Sequence, residues 1–386
     1  MRRPVFVSLI VWILFLCPMT VRAATAETEH GAVIDGEEFR LDEIEAYLER
    51  AEASGSVQTV GLSFSEIMRE LTKGNLTFVF QQWADVCNEV LFSEIRAGRG
   101  MLGQILLLSV IGAVFSGLTG IFSSGHVSEV GFYVVYLLIM AFLTAGFSTG
   151  ISIAGRVTAE LLEFMQVLMP AYFLAAAASG SALTSASVCG FTFGTIGIMQ
   201  TVLAEFLLPL TRIYMLLVLA GNLIKEDMIS RCMELLANVI LWTLKTMFGI
   251  VVGFHLIQGM IMPQADALKQ ASLMRLVQMI PGAGTIAGSV SKIILGSGVL
   301  IKNTIGMAGV IIMGMMAAVP VTKLLVLMCS YYLAAAIMQP VCDKRLVSCV
   351  MGAAAGYGLL LKIVMYSVAL FAVTVAVLCI ATNSVL

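Results

Sequence analysis

Charge is scarce in this chain. Only 12% of its 386 residues are Asp, Glu, Lys or Arg and 59% are hydrophobic, whereas soluble domains carry about 25% charged and roughly 45–50% apolar residues. With a mean hydropathy of +0.98, water is excluded as its main solvent. Histidine is scarcer still: His30, His126 and His255 stand far apart, and no G-x-S-x-G, H-E-x-x-H or P-loop string occurs. Familiar hydrolytic, zinc-protease and nucleotide-hydrolysing constellations are thereby excluded, and the chain reads as a non-enzyme with no cofactor and no metal site. The eight cysteines form no C-x-x-C pair. Cys87 is alone in the segment 27–100, so that segment cannot close an internal disulfide. The cysteines after residue 101 sit in or beside apolar runs and read as small packing residues. No dense Lys/Arg stripe with interleaved aromatics is present, which leaves nucleic-acid binding without support.

What the chain has in quantity is apolar runs. They fall at about 102–122, 130–153, 164–183, 186–207, 209–224, 235–262, 293–318 and 320–340, with a last stretch at 347–382. A bilayer core takes about 20 apolar residues per helical span. The expected fold is therefore all-α: a polytopic helical membrane protein of about six to nine transmembrane or re-entrant segments. The stretch 347–382 is too long for one ordinary span and predicts a hairpin around Gly356, Gly358 and Lys362.

Three parts follow from the distribution of charge. Residues 1–26 have Arg2 and Arg3, an apolar stretch from Val5 to Leu16 and a small-residue cleavage site, the pattern of a signal peptide, with an uncleaved anchor as the alternative. Residues 27–100 form an acidic helical extracytoplasmic domain with 15 of the 24 acidic residues and six basic ones. Residues 101–386 form the multi-pass membrane domain. Within the acidic part, Leu41, Ile44 and Leu48 recur at helical spacing, and Ser63-x-x-Glu66 is a capping-box signature for a helix ending near Gly74. Leu76, Val79, Phe80, Trp83, Cys87, Val90 and Leu91 make an apolar stripe on a third helix. Lys225 with Arg231, and Lys344 with Arg345, are the candidates for cytoplasmic loops.

An internal correspondence appears at an offset of 111 residues. Pro170 maps onto Pro281, Pro209 onto Pro320 and Arg212 onto Lys323, which suggests related copies at 164–225 and 275–336. Small residues follow the first proline of each copy, including Gly284 and Gly288 in the second, and such residues let membrane helices approach closely. Proline- and glycine-interrupted segments in matching positions also build the central sites of repeat-based transporters. Glu205, Arg212, Lys245, His255, Lys292, Lys302, Lys323 and Lys362 lie within or at the edges of apolar runs, where charge is expensive and often functional. Arg212 and Lys323 read as interface anchors or path residues. Glu205 and Arg212, seven apart, share a helix face if Pro209 only kinks the helix.

The strings LPLTRIYMLLVLAGNLIKED (208–227), FGIVVGFHLIQGMIMPQADALKQAS (248–272) and IPGAGTIAGSVSKIILGSGVLIKNTIG (280–306) resemble the stage III sporulation protein AE family of endospore-forming bacteria. The resemblance extends over nearly the whole chain and is strongest from about 160 to 382. It implies a polytopic component of a channel-like or secretion-like complex in the mother-cell-derived outer forespore membrane, with the acidic domain in the intermembrane space. It further implies partners from the same sporulation operon, an ATPase subunit among them, and a forespore membrane partner, besides the lipid bilayer. It brings no catalytic residues. A different class of function, an autonomous secondary transporter built on the repeat, remains the alternative. If Glu205 lines a path, Glu205→Gln is expected to impair spore formation at unchanged protein abundance. Spore counts and immunoblots of a complemented strain measure this, and normal sporulation would leave Glu205 structural.

Overall fold

The computed structural model describes residues 40–53, 63–74, 88–96, isolated positions between 81 and 114, and 125–383 apart from short stretches at 180–181, 224–228, 279–283 and 341. Over 259–278 and 284–295 it describes the backbone alone. The leader, Pro281, most of the 102–122 segment and the first part of the predicted third amphipathic helix lie outside the described residues. All regular elements among those described are helical: α1 (Leu41–Ala53), α2 (Phe64–Thr72), α3 (Gly125–Ala178), α4 (Ala182–Gln200), a π-helical turn (Thr201–Leu207), α5 (Leu208–Leu223), α6 (Ser230–Gln278), α7 (Gly284–Met338) and α8 (Lys344–Asn383).

The two acidic helices form as their sequences predict. Ser63 caps α2, its Oγ accepting from the Glu66 N–H at 3.1 Å, and the helix is followed by Gly74 in the left-handed conformation at φ 74°. Leu41, Ile44, Tyr47, Leu48 and Ala51 line the buried face of α1, and Phe64, Ile67, Met68 and Leu71 that of α2. Each large apolar side chain so buried contributes about 1.5–3 kcal/mol, which neither helix could obtain alone. Their faces pack on each other, α1 also on α3 and α2 also on α7.

Among the described residues, five stretches are long and apolar enough to cross a membrane: Tyr136–Ala178, Val188–Asn222, Ser230–Gln258, Gly296–Met338 and Lys344–Ile380. Side-chain contacts give their directions. Tyr136 donates to the Leu219 carbonyl and lies 3.8 Å from Cys349 Sγ, while Phe147 meets Tyr357 and a Cβ at Gly306 would touch both Cys379 and Tyr172. Helices α3 and α8 are thus parallel. Gly298 abuts Ser179 and Gly309 abuts Leu168, so α7 runs against α3; Val218 meets Gly352 and Tyr214 lies near Gly356, so α5 runs against α8. The result is an up-and-down bundle. Arg231 and Lys344–Arg345, at the starts of two parallel helices, α6 and α8, lie at one end of it.

Breaks expected within the apolar runs are absent. The segments 130–153 and 164–183 join in α3, 293–318 and 320–340 join in α7, and 347–382 is one helix with no hairpin at Gly356, Gly358 or Lys362. Each has a physical reason. Pro170 and Pro320 are accommodated inside helices, where neighbouring helices compensate for one missing N–H. Before Pro209 the chain widens into the π-helical turn: the Leu208 N–H bonds to the Leu203 carbonyl, five residues back, and the proline has no N–H to offer the Glu205 carbonyl. The α8 glycines are packing sites. A Cβ at Gly356 would stand 2.8 Å from the Phe147 ring, and Gly352 faces Val218 too closely for any side chain. Several buried hydroxyls within the bundle donate to carbonyls of their own helices, as Thr158 does to Ala154, Thr211 to Leu207 and Ser367 to Ile363.

Tyr357, fully buried, stacks on Tyr331 at 5.0 Å and meets Phe147 edge-on at 5.3 Å. Gly150 admits its ring: a Cβ there would stand 2.5 Å from Tyr357 Cε1. Gly150→Ala is therefore expected to destabilise the bundle by about 1–3 kcal/mol through overpacking, read as a lowered Tm in detergent. Gly314→Ala, with nothing within 4 Å of the added atom, serves as the control and should cost nothing; equal effects of the two would remove Tyr357 from the explanation.

Candidate functional site: charged residues at mid-height of the bundle

The charges within the apolar helices are not scattered along their lengths. Helix α3 carries Arg156, Glu160 and Glu163 between its apolar halves; Glu205 lies in the π-helical turn, Arg212 on α5, Lys245 on α6, Lys323 on α7 and Lys362 on α8. The contacts that orient the bundle also set their heights. Gly155 abuts Leu208, which brings Arg156 level with the Glu205–Arg212 region. Phe248 meets Tyr366 at 6.1 Å, and Lys245 and Lys362 are one turn before these rings. Met328 packs on Gly358, and Lys323 is about one and a half turns from Met328 in the direction of Lys362. These residues therefore form a belt around the middle of the bundle.

The acidic helices attach at this belt. The Tyr47 hydroxyl donates to the Glu160 carbonyl at 2.9 Å, and its ring lies 6.0 Å from that of Phe164. Burial first, then the carboxylates of Glu163 and Glu160, pushes the Tyr47 phenol well above its ordinary pKa, so it remains the donor throughout the physiological range. On the α7 side, Lys323 Nζ is 3.4 Å from Glu94 Oε1, with both side chains partly exposed. Such a pair contributes about 0–1 kcal/mol and serves more to orient than to hold.

The residues singled out from the sequence are placed as follows. Glu205 and Arg212 are both exposed, and among the described residues they form no ion pair with each other. Lys323 is half-buried and bound to Glu94. Pro170 and Pro320 lie inside continuous helices, and Pro209 follows the π-helical turn. Gly284 and Gly288 open α7, with nothing described of what they touch. His255 is buried on α6 with Gln258 one turn on, and Lys302 is fully buried on α7 near Cys379, away from the belt. A shallow cavity of about 480 Å³ on the outer face of α6 is lined by Arg231, Glu234, Leu235, Asn238, Val239 and Trp242.

Sequence reasoning missed Arg156, Glu160 and Glu163, which it placed in the gap between two spans, and the proximity of Lys245 to Lys362. The first had a signal: three charges at helical spacing, i, i+4 and i+7, fit a continuous helix as well as a loop. The second had none, because only the packing of α6 on α8 brings the lysines together.

A sequence profile described as Stage III sporulation protein AE matches residues 62–382. Stage III sporulation protein AE of Bacillus subtilis (strain 168) is 24% identical over 357 residues, covering 88% of this chain and 89% of that protein. No solved structure matches.

The attachment of α1 can be tested directly. Tyr47→Phe removes the bond to the Glu160 carbonyl and leaves that acceptor buried, at a cost of about 1 kcal/mol. Faster hydrogen–deuterium exchange across 41–53, with α5 to α8 unaffected, is the expected outcome; unchanged protection would assign the attachment to apolar packing alone.

Proposed function

The chain belongs to the stage III sporulation protein AE family, and on that premise we propose that this sporulation protein is a non-catalytic, membrane-embedded subunit of a channel-like or secretion-like complex linking mother cell and forespore. The observation that carries this reading beyond the family name is the attachment of the acidic N-terminal segment, through Tyr47 of α1 and Glu94 of the stretch 88–96, to the middle of a bundle of membrane-length helices. The signal-peptide pattern at residues 1–26 supports reading the acidic surface so held as lying on the far side of the mother-cell-derived membrane, in the intermembrane space. From there it can meet a forespore membrane partner. At the opposite end, Arg231, Lys344 and Arg345 face the mother-cell cytoplasm, where an ATPase subunit of the same operon can engage the complex.

The bundle's outer surface is consistent with a life in lipid and among partners. Val134, Leu138, Ile198, Trp242, Ile257 and Ile380 are among its large exposed apolar side chains. Exposed Glu205 and Arg212 are poorly suited to hydrocarbon, so they mark where another subunit or water is expected to stand. Affinity purification of the tagged chain from sporulating cells tests the proposal. Co-purification of other operon products, lost together with forespore-specific reporter expression when the acidic helices are deleted, is the expected result. Coupled solute flux by the purified chain alone in liposomes would instead establish the autonomous transporter.

A further inference from the structure

The mid-height belt contains two like charges side by side. Lys245 on α6 and Lys362 on α8 precede by one turn the rings of Phe248 and Tyr366, which meet at 6.1 Å and so set the two lysines at one height on adjacent helices. The ion pairs of the long helices among the described residues are Arg231–Glu234, Lys323–Glu94 and Arg345–Asp343. Neither Lys245 nor Lys362 takes part in them. Lys362 is half-buried, Lys245 is exposed, and Trp242, one turn below Lys245, is 68% exposed. Two neighbouring cations beside a low-dielectric surface repel each other more strongly than in water, so the pair calls for an anion.

The lengths of the helices say where that anion is. On α8, Leu346 to Leu361 and Ile363 to Ile380 are two apolar halves on either side of Lys362, each roughly 24–27 Å long at about 1.5 Å per residue. A hydrocarbon core about 30 Å thick accommodates one half, not both. Centring the membrane on the belt would put several charges at its most expensive depth. Whichever half the lipid covers, the belt then lies at headgroup level, where Trp and Tyr rings are favoured. We propose that Lys245 and Lys362, flanked by Trp242 and Tyr366, bind the phosphate of an anionic phospholipid headgroup at the outer seam where α6 packs on α8. Basic sites between membrane helices are suited to such headgroups, and a half-buried lysine beside an exposed one gives the phosphate one sheltered contact and one reachable from the bilayer.

The test uses the full chain in phosphatidylcholine nanodiscs containing a minor fraction of phosphatidylglycerol, with co-released lipid counted by native mass spectrometry. Enrichment of phosphatidylglycerol by the unaltered chain is expected. Lys245→Gln, at an exposed position that should not disturb folding, is expected to lower the relative affinity about fivefold, and the double variant with Lys362→Gln about thirtyfold. At about 1.4 kcal/mol per decade these correspond to about 1 kcal/mol per lysine. Arginine at both positions should preserve the enrichment. Equal enrichment by the Lys245→Gln chain overturns the proposal. So does displacement of the lipid by millimolar inorganic phosphate, which would identify a free-phosphate site. Loss of a co-purifying protein from sporulating membranes at unchanged lipid enrichment would identify a protein contact and overturn it equally.

Discussion

Helix α8 is held among its neighbours by approaches that only glycine permits. Gly352 takes the Val218 side chain, Gly356 takes the Phe147 ring, and Gly150 of α3 admits Tyr357 in return. At these positions a methyl group would overlap atoms that are themselves fully enclosed. Dispersion between atoms at close range is individually weak and collectively large, and in lipid it replaces the hydrophobic drive that assembles soluble cores. Around this contact α3, α5 and α7 take their heights and directions. Continuous helix at Gly352, Gly356 and Gly358 follows from the same packing, because a glycine enclosed by neighbouring side chains is not free to hinge.

Long helices packed side by side necessarily bring their interruptions into register or expose them singly. In this bundle they are in register. Arg156, Glu160 and Glu163, the Glu205–Arg212 stretch, Lys245, Lys323 and Lys362 fall near one height, and the acidic N-terminal segment attaches there through Tyr47 of α1 and Glu94 of the stretch 88–96. A belt of this kind divides the apolar surface of the bundle into two bands. The same belt presents one set of charges to the acidic helices on the α3 and α7 side and another to the α6 and α8 side.

The membrane-spanning, all-helical character of the body, the acidic helices and their capping were legible because each depends on neighbours in sequence. Apolar composition sets α8 apart, helical spacing makes the buried faces of α1 and α2 visible, and Ser63 caps the N–H of a residue three positions away. The breaks were misread for the opposite reason. Arg156, Glu160 and Glu163 look like a connection between spans, and Pro320 like a boundary, when only the helices around them are left out of account. Pro209 lies between the two cases: it does disturb the helix, but the disturbance is a π-helical turn containing Glu205 and not a chain reversal.

Of the candidate site, the identities of the charged residues came from sequence and their grouping from the fold. Glu205 and Arg212 share an exposed surface without pairing, and Lys323 found its counter-charge in Glu94, more than two hundred residues away along the chain. The sequence by itself determined that this protein lives in a membrane, that its acidic front is distinct from its apolar body, and to which family it is related, since composition, periodicity and local strings carry that information. Only the tertiary structure decided where the apolar runs fuse, which glycines are contact points and which lysines share a height on adjacent helices, because helix continuity and charge proximity are set by what packs alongside and not by what comes next in the chain.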